Sequence, residues 1–596
     1  MTTIPLTLSS LQAAYEGGTT PSVIIEQVYS RIEEVADPGI FIHLIAKEEV
    51  LAAAEKLGPY DPSKPLWGVP FAVKDNIDAA RCPTTAACPA YEYEAVEDAF
   101  VVARLKEEGA LLIGKTNLDQ FATGLVGVRS PYQPPKNAIN SDLIPGGSSS
   151  GSAVAVAQGI VAFSLGTDTA GSGRIPAGLN NIVGLKPSLG AFSATGVVPA
   201  CRTLDTISVF ALDVPDAYKV FQVAAAYDPE DSYSRTLPKG AMEAAPPVLK
   251  IGIPDENSLK FFGDGLQEKA FKRDLDLLQA MGAEIIRVDF TPFFDVANML
   301  YEGAWVAERY TTIEDLLKRD PEAIHPVTAA IISKAEEFSS ADVFRGFYKL
   351  QDLKRAAEPL LSGVDLFCVP TVPRFYSVAD LDKDPVTPNS NLGTYTNFVN
   401  LMDMCALSVP TDDRGDGLPG GLTLIAGTGK DAYIAGIGAN IHQTATCLMG
   451  ATGWPLLPLD LSPDMSSGTD EIELAVCGAH MAGLPLNHQL TDRGGRFMRT
   501  AATSADYQFY ALAGGPPARP GLVRVGEAQG EEIALEIWSL PKSEVGSFLE
   551  GIPSPLGIGT ISLQDGNSVK GFLCESWAIE QAEDITPLKS WRLYGT

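Results

Sequence analysis

Two knots of glycine and serine, at 146–152 and 171–173, enclose an apolar run in the stretch PGGSSSGSAVAVAQGIVAFSLGTDTAGSGR (145–174). The run reads as a short helix, AVAVAQG (153–159), stopped by Gly159, followed by a buried strand, IVAFSLGTD (160–168). Hydroxyls stand in both knots beside glycines that let a backbone approach something closely. Such turns suit a catalytic centre, a phosphate cradle or plain loops.

Neither knot has the lysine that a P-loop needs after its glycine, and neither fits G-x-G-x-x-G with an acidic residue further on. A serine nucleophile needs a neighbouring base. Histidine is the usual one, but the five histidines stand at 43, 325, 442, 480 and 488, with none between His43 and His325. A lysine can serve if burial lowers its pKa. Lys74, at the end of the apolar run LWGVPFAVK, reads either as that base or as an exposed strand-end lysine. Ser172 sits at a turn after the buried strand, between Gly171 and Gly173. The N–H groups of Thr169, Ala170, Gly171 and Ser172 then either point at one spot as an oxyanion hole or belong to an ordinary turn.

Strand and helix alternate along the first part of the chain. Residues 20–35 read as a helix, 66–76 as a strand, and 98–117 as a helix stopped at Gly109 and followed by a strand. The pattern returns at 248–254 (strand) and 266–282 (helix), which predicts an α/β protein whose mixed sheet is covered by helices on both faces. A Pro-, Ser-, Gly- and Asp-rich stretch then reads as a linker over 456–470, between a domain at 1–455 and a smaller α+β domain at 471–596. Asp565-Gly566 between two apolar runs predicts a hairpin in the latter.

The net charge of -30 argues against nucleic acid or an anionic membrane as the main partner, since both require a basic surface. A small anionic substrate is still allowed, because one arginine in a pocket decides that locally. The N-terminal residues lack the basic and apolar regions of a secretory signal, and apolar stretches such as Ala153–Gly166 are too interrupted to span a membrane. Eight scattered cysteines without a C-x-x-C pair read as reduced thiols of a cytoplasmic protein. No metal-ligand spacing is present, and neither a metal nor a cofactor is expected.

GVPFAVKDNID (68–78), GGSSSGSAVAVAQG (146–159) and LGTDTAGSGRIPAGLNNIVGLKPS (165–188) together resemble the amidase signature family, over most of residues 20–450. The resemblance implies a Ser–cisSer–Lys triad. Ser172 matches the nucleophile, Ser148 the bridging serine after a cis peptide, and Lys74 the base. It also implies an acyl-enzyme whose oxyanion is held by the amides of residues 169–172.

Two segments narrow the substrate. TNLDQFATGLVGVRSPY (116–132) departs from the common family pattern, in which a Glu–Phe pair is followed by Ala-Met-Gly; Asp119, Gln120 and Thr123 stand there instead. MLYEGAWVAERY (299–310) looks helical, so Tyr301 and Arg309, eight apart, share much the same face. On spacing alone these two read equally as a core tyrosine and a surface arginine. Both segments are similar to those of the allophanate hydrolases within the family. That likeness assigns Tyr301 and Arg309 to binding a small anionic ureido substrate and Gly124 to a backbone contact with it.

The C-terminal segment IELAVCGAHMAGLPLNHQL (472–490) is similar to the start of gamma-glutamyl cyclotransferase-like folds, where a strand enters an anion-binding turn. In allophanate hydrolases such a module is linked to decarboxylation of the N-carboxy-carbamate left after the first ammonia departs. His480 is then the candidate catalytic residue, and FLEGIPSPLG (548–557) brings Glu550 near the same cavity. Alternatively the module sets assembly, either as a homodimer or with an enzyme that makes allophanate. Two other readings of the chain stand beside this one: another amidase or a transamidase glutaminase subunit, and a non-catalytic scaffold.

Overall fold

A computed structural model describes residues 3–445, 448–458 and 470–594. The chain divides into two compact units, Met1–Lys239 with Ile251–Leu278 and Ile285–Leu459, and Asp460–Thr596 with Gly240–Lys250 and Gln279–Glu284. A single cut therefore does not describe the division, because two short earlier segments group with the second unit. Residues 459–469, most of the expected linker, lie outside the described residues.

The first unit is built on a mixed sheet of eleven strands. Its centre for function is a run of three parallel strands in the order Leu111–Thr116, Pro70–Lys74, Phe163–Asp168, with Lys74 opposite Thr116 and Val73 opposite Leu165. Thr206–Ala211 pairs antiparallel with the third of these, and Val183–Lys186, Met404–Thr411, Gly420–Gly427 and Leu366–Pro370 continue the sheet antiparallel. Helices pack on both faces. All residues of the three parallel strands are buried, as expected of strands read from continuous apolar runs. Lys74 and Asp168 both end their strands at one edge of the sheet, the usual place for chemistry in such architectures.

The helix expected at 153–159 starts earlier, at Ser150, and ends at Ala157, with Gly159 in the left-handed region at φ 65°. Every residue of it is buried. Its small side chains are needed there: a Cβ at Gly151 would stand 2.3 Å from Ile40 O and 2.6 Å from Asn117 N. Serines staple it to the neighbouring strand. Ser149 Oγ donates to Thr167 O at 3.1 Å and accepts from Thr167 N at 3.3 Å, while Ser152 Oγ donates to Leu165 O at 3.0 Å. Gly166 opens the space for Ser149, since a Cβ there would lie 2.7 Å from its Oγ. The serine-rich first knot thus fixes the helix on the strand that leads to the second.

The helix expected through Tyr301 and Arg309 is two helices, Thr291–Glu302 and Trp305–Arg319. Gly303 breaks it with extended backbone (φ -115°, ψ -170°), and a Cβ there would stand 2.6 Å from Met299 O. Among the described residues no helix is long and apolar enough to cross a membrane.

The second unit is rich in β-structure. A five-stranded sheet runs Arg496–Ala502, Ala534–Pro541, Glu471–Val476, Ser568–Cys574, Leu556–Ser562, and a three-stranded sheet runs Arg519–Arg524, Tyr507–Leu512, Glu583–Asp584. The predicted hairpin is present, with Ile561 opposite Val569 and Gly566 at φ 85° in its turn. Val476, Phe497, Tyr507, Phe509, Ile537 and Trp538 lie at the centre of its core.

Candidate active site

Three side chains distant in sequence meet at the carboxyl ends of the parallel strands of the large sheet. Lys74 Nζ donates to Ser148 Oγ at 2.8 Å and to Thr167 Oγ1 at 2.7 Å. Ser148 Oγ donates in turn to Ser172 Oγ at 2.9 Å. The Gly147–Ser148 peptide bond is cis. Lys74 and Ser148 are fully buried, and Ser172 is 3% exposed.

Burial pushes the Lys74 ammonium down to about 7, against Asp119, Asp205 and Asp168, whose negative charges favour the protonated form. A neutral amine is therefore well populated near neutral pH. It can accept a proton from Ser148 while Ser148 accepts one from Ser172, once both hydroxyls turn to reverse the donors across contacts of 2.8 and 2.9 Å already in place. Thr167 was not among the residues singled out from sequence. Its hydroxyl fixes the second side of the amine and so aims the relay.

Asp168 organises the second knot. Its Oδ1 accepts from Gly171 N at 2.8 Å and its Oδ2 from Gly173 N at 2.9 Å, while Arg174 grips both oxygens at 2.9 Å through Nη2 and Nε. Burial alone would raise this carboxyl, but the Arg174 guanidinium and the Gly173 amide hold it below its ordinary value. The arrangement corrects the expected oxyanion hole. Gly171 N–H is committed to Asp168, so four successive amides do not converge. The N–H groups of Thr169, Ala170 and Ser172 make no hydrogen bond among the described residues.

Two acidic residues join this centre to the expected substrate residues. Asp119 N donates to Ser148 O at 3.0 Å, and the Asp119 carboxylate accepts from Gly127 N at 2.9 Å and Arg129 N at 2.8 Å. Gly124 lies against that carboxylate, where a Cβ would approach Asp119 Oδ2 to 2.6 Å. Asp205 accepts from the Thr169 hydroxyl and from Ala200 N and Cys201 N. Burial raises Asp205 to about 6, and the charge of Arg309 is among the influences that oppose the rise. In sequence Asp119 stood out only as a departure from the common family pattern, and Asp205 carried no motif.

Tyr301 and Arg309 come together across the helix break, with the guanidinium 5.2 Å from the ring centroid. Arg309 is 2% exposed, which excludes the surface reading. Its Nη1 donates to Thr123 Oγ1 at 3.1 Å, whereas Nε and Nη2 have no hydrogen-bond partner among the described residues. Glu308, next in sequence, is turned to Thr203 instead, accepting from its N at 2.8 Å and its Oγ1 at 2.7 Å. Nε and Nη2 form one edge of a guanidinium, the edge that matches a carboxylate in a two-pronged hydrogen bond. A buried guanidinium with that edge unmet keeps two parallel N–H groups available to an acceptor.

The second unit has a cavity of about 350 Å³ of its own, lined among others by Gly478, His480, Gln489, Arg519 and Phe572. The His480 ring stacks on Phe572 at 5.0 Å, and its Nε2 lies 3.0 Å from Gln489 Oε1. Burial lowers the His480 pKa, partly opposed by the Gln489 hydrogen bond. Glu550 does not line this cavity: it is exposed at the end of the helix Lys542–Glu550, and the following Gly551, Ile552 and Pro553 reach the cavity instead.

Comparison with known proteins names the family that this fold and its buried lysine–serine–serine cluster fit. Residues 23–434 match the Amidase family, and residues 472–596 match the family described as allophanate hydrolase C-terminal domain. The chain belongs to the amidase family. It is 44% identical over 544 residues to a urea amidolyase of Lachancea kluyveri, covering 89% of this chain and 30% of that protein. A urea amidolyase of Saccharomyces cerevisiae is 42% identical, again with 31% of its length covered, so the chain spans about a third of these relatives. The solved structure of Kluyveromyces lactis allophanate hydrolase superposes with a TM-score of 0.80 at 40% identity, covering 98% of both chains.

Proposed function

We propose that this chain hydrolyses allophanate, urea-1-carboxylate, through Lys74, Ser148 and Ser172. The observation that carries the substrate class is the unmet Nε–Nη2 edge of buried Arg309 beside Tyr301. A carboxylate seated there leaves the ureido end of the molecule for the triad. Neutral Lys74 takes a proton from Ser148, Ser148 takes one from Ser172, and Ser172 Oγ attacks the ureido carbonyl. The free amides of Thr169, Ala170 and Ser172 hold the oxyanion, and Gly124 borders the substrate with its backbone. The relay returns the proton to the departing ammonia. Water then cleaves the acyl-enzyme by the same route and releases N-carboxy-carbamate.

In the second unit, His480 and Arg519, which line one cavity, suit this dicarboxylate. Loss of carbon dioxide breaks a C–N bond, and the nitrogen takes up a proton, leaving carbamate. Carbamate falls apart to ammonia and a second carbon dioxide. The match of residues 472–596 to the C-terminal domain of allophanate hydrolases supports giving this step to the second unit. We further propose a division of labour between the two units, a cytoplasmic homodimer, and association with an enzyme that carboxylates urea. The last is supported by relatives named urea amidolyase that are about three times as long.

Ammonia release from the full chain tests the reading, with allophanate compared against malonamate, glutamine and a simple aliphatic amide. Preferred turnover of allophanate, abolished in Ser172→Ala, is expected. Turnover of another amide with none of allophanate would overturn the substrate assignment.

A further inference from the structure

We infer that Thr123 is a positioning residue that aims Arg309 and thereby sets the preference of the site for carboxylate-bearing substrates. The inference rests on reading Arg309 as the carboxylate ligand. A guanidinium stacked on one ring can still turn in its plane, so something must decide which edge it presents. Thr123 meets Nη1, the corner opposite the free edge, at 3.1 Å. The polarity of that contact is fixed, because the single hydroxyl proton of Thr123 is donated to Phe121 O at 3.1 Å. Its oxygen is left to accept from Arg309.

Thr123 is itself held firmly. Arg129 Nη1 donates to Thr123 O at 3.3 Å. Phe121 and Ala122 before it are in the left-handed region, at φ 51° and 50°. Gln120 clamps this turn to the segment beyond the helix that carries Arg309: its Nε2 donates to Ala323 O at 3.0 Å and its Oε1 accepts from His325 N at 2.6 Å. Gln120 and Thr123 are two of the positions where this sequence departs from the common family pattern. In that pattern methionine stands at position 123, and its side chain offers no hydroxyl to receive Nη1.

The test is direct binding to the full chain carrying Ser172→Ala, which blocks turnover, with malonamate and its uncharged counterpart malonamide as probes. A hydrogen bond to a charged group is worth enough that Thr123→Val should weaken malonamate about tenfold while malonamide binds as before. Thr123→Ser keeps the acceptor and should restore affinity to within about twofold, and Thr123→Ala serves as a second acceptor-free variant. Unchanged malonamate binding in the Val and Ala variants would overturn the inference, as would equal weakening of both probes or a Ser variant as weak as Val. If malonamate binding depends on Thr123 but the active chain does not hydrolyse allophanate, the inference stands and only the substrate reading falls. If the parent binds malonamate no better than malonamide, both fall.

Discussion

Lys74 can act as a base only while its amine is neutral, and burial brings its pKa to about 7. Activity should therefore fall as the pH drops through about 7, because the ammonium that forms has no lone pair to receive the Ser148 proton. The acidic limb of kcat/KM against pH reads this directly. A limb centred near the ordinary lysine value would show that the amine is not buried as described. Ser148→Ala interrupts the relay and should lower kcat by roughly two to four orders of magnitude, the usual range for positioned acid–base groups. Arg309→Ala should raise KM for carboxylate-bearing amides and leave neutral ones unaffected; an equal loss on both would remove its role. Lys74 and Ser172 were candidates in sequence, because an apolar strand ends on one and glycines flank the other in a region without histidine, whereas Ser148 and the joining of the three came from resemblance to the amidase signature family. Thr167, Asp168 and Asp205 were not candidates, since their meaning comes from hydrogen bonds that only the folded sheet creates.

The loops and strand ends around the triad tolerate little change, and this is where pattern reading works best and also where it fails. The strands Pro70–Lys74 and Phe163–Asp168 and the helix Ser150–Ala157 follow from short apolar runs, so their succession along the chain was legible. The chain break at Gly303 was not, because the apolar spacing carries straight across it. Nor was the orientation of the Gly171 amide, which Asp168 decides. Gly147 offers a sharp check on how the first knot is packed. A Cβ there would lie 2.1 Å from Asp119 Oδ2 and 2.5 Å from Gly127 N, so Gly147→Ala must move one or the other. Overpacking of this kind costs about 1–3 kcal/mol, and we expect a lower melting temperature together with a loss of turnover larger than the loss of stability explains. Wild-type kcat in a folded Gly147→Ala variant would show that the serine relay does not depend on this packing.

The proposed assignment of decarboxylation to the cavity of the second unit makes the two steps separable. His480→Ala should leave the initial release of the first ammonia unchanged while N-carboxy-carbamate builds up, seen by carbon-13 NMR with labelled allophanate. Early ammonia release slowed in proportion would instead tie His480 to the triad chemistry. The central claim, however, concerns the first unit: a buried Ser–Ser–Lys relay that selects its amide by an arginine-bound carboxylate. Allophanate and biuret differ in that one end of biuret carries a carboxamide where allophanate has its carboxylate. Their kcat/KM ratio, measured on the wild-type chain and on Arg309→Ala, isolates that end of the molecule. A preference for allophanate of about a hundredfold, in line with a charge-assisted pair in a buried site, should collapse toward unity in the variant. Equal turnover of the two by the wild type, or a preference that survives loss of Arg309, would contradict it.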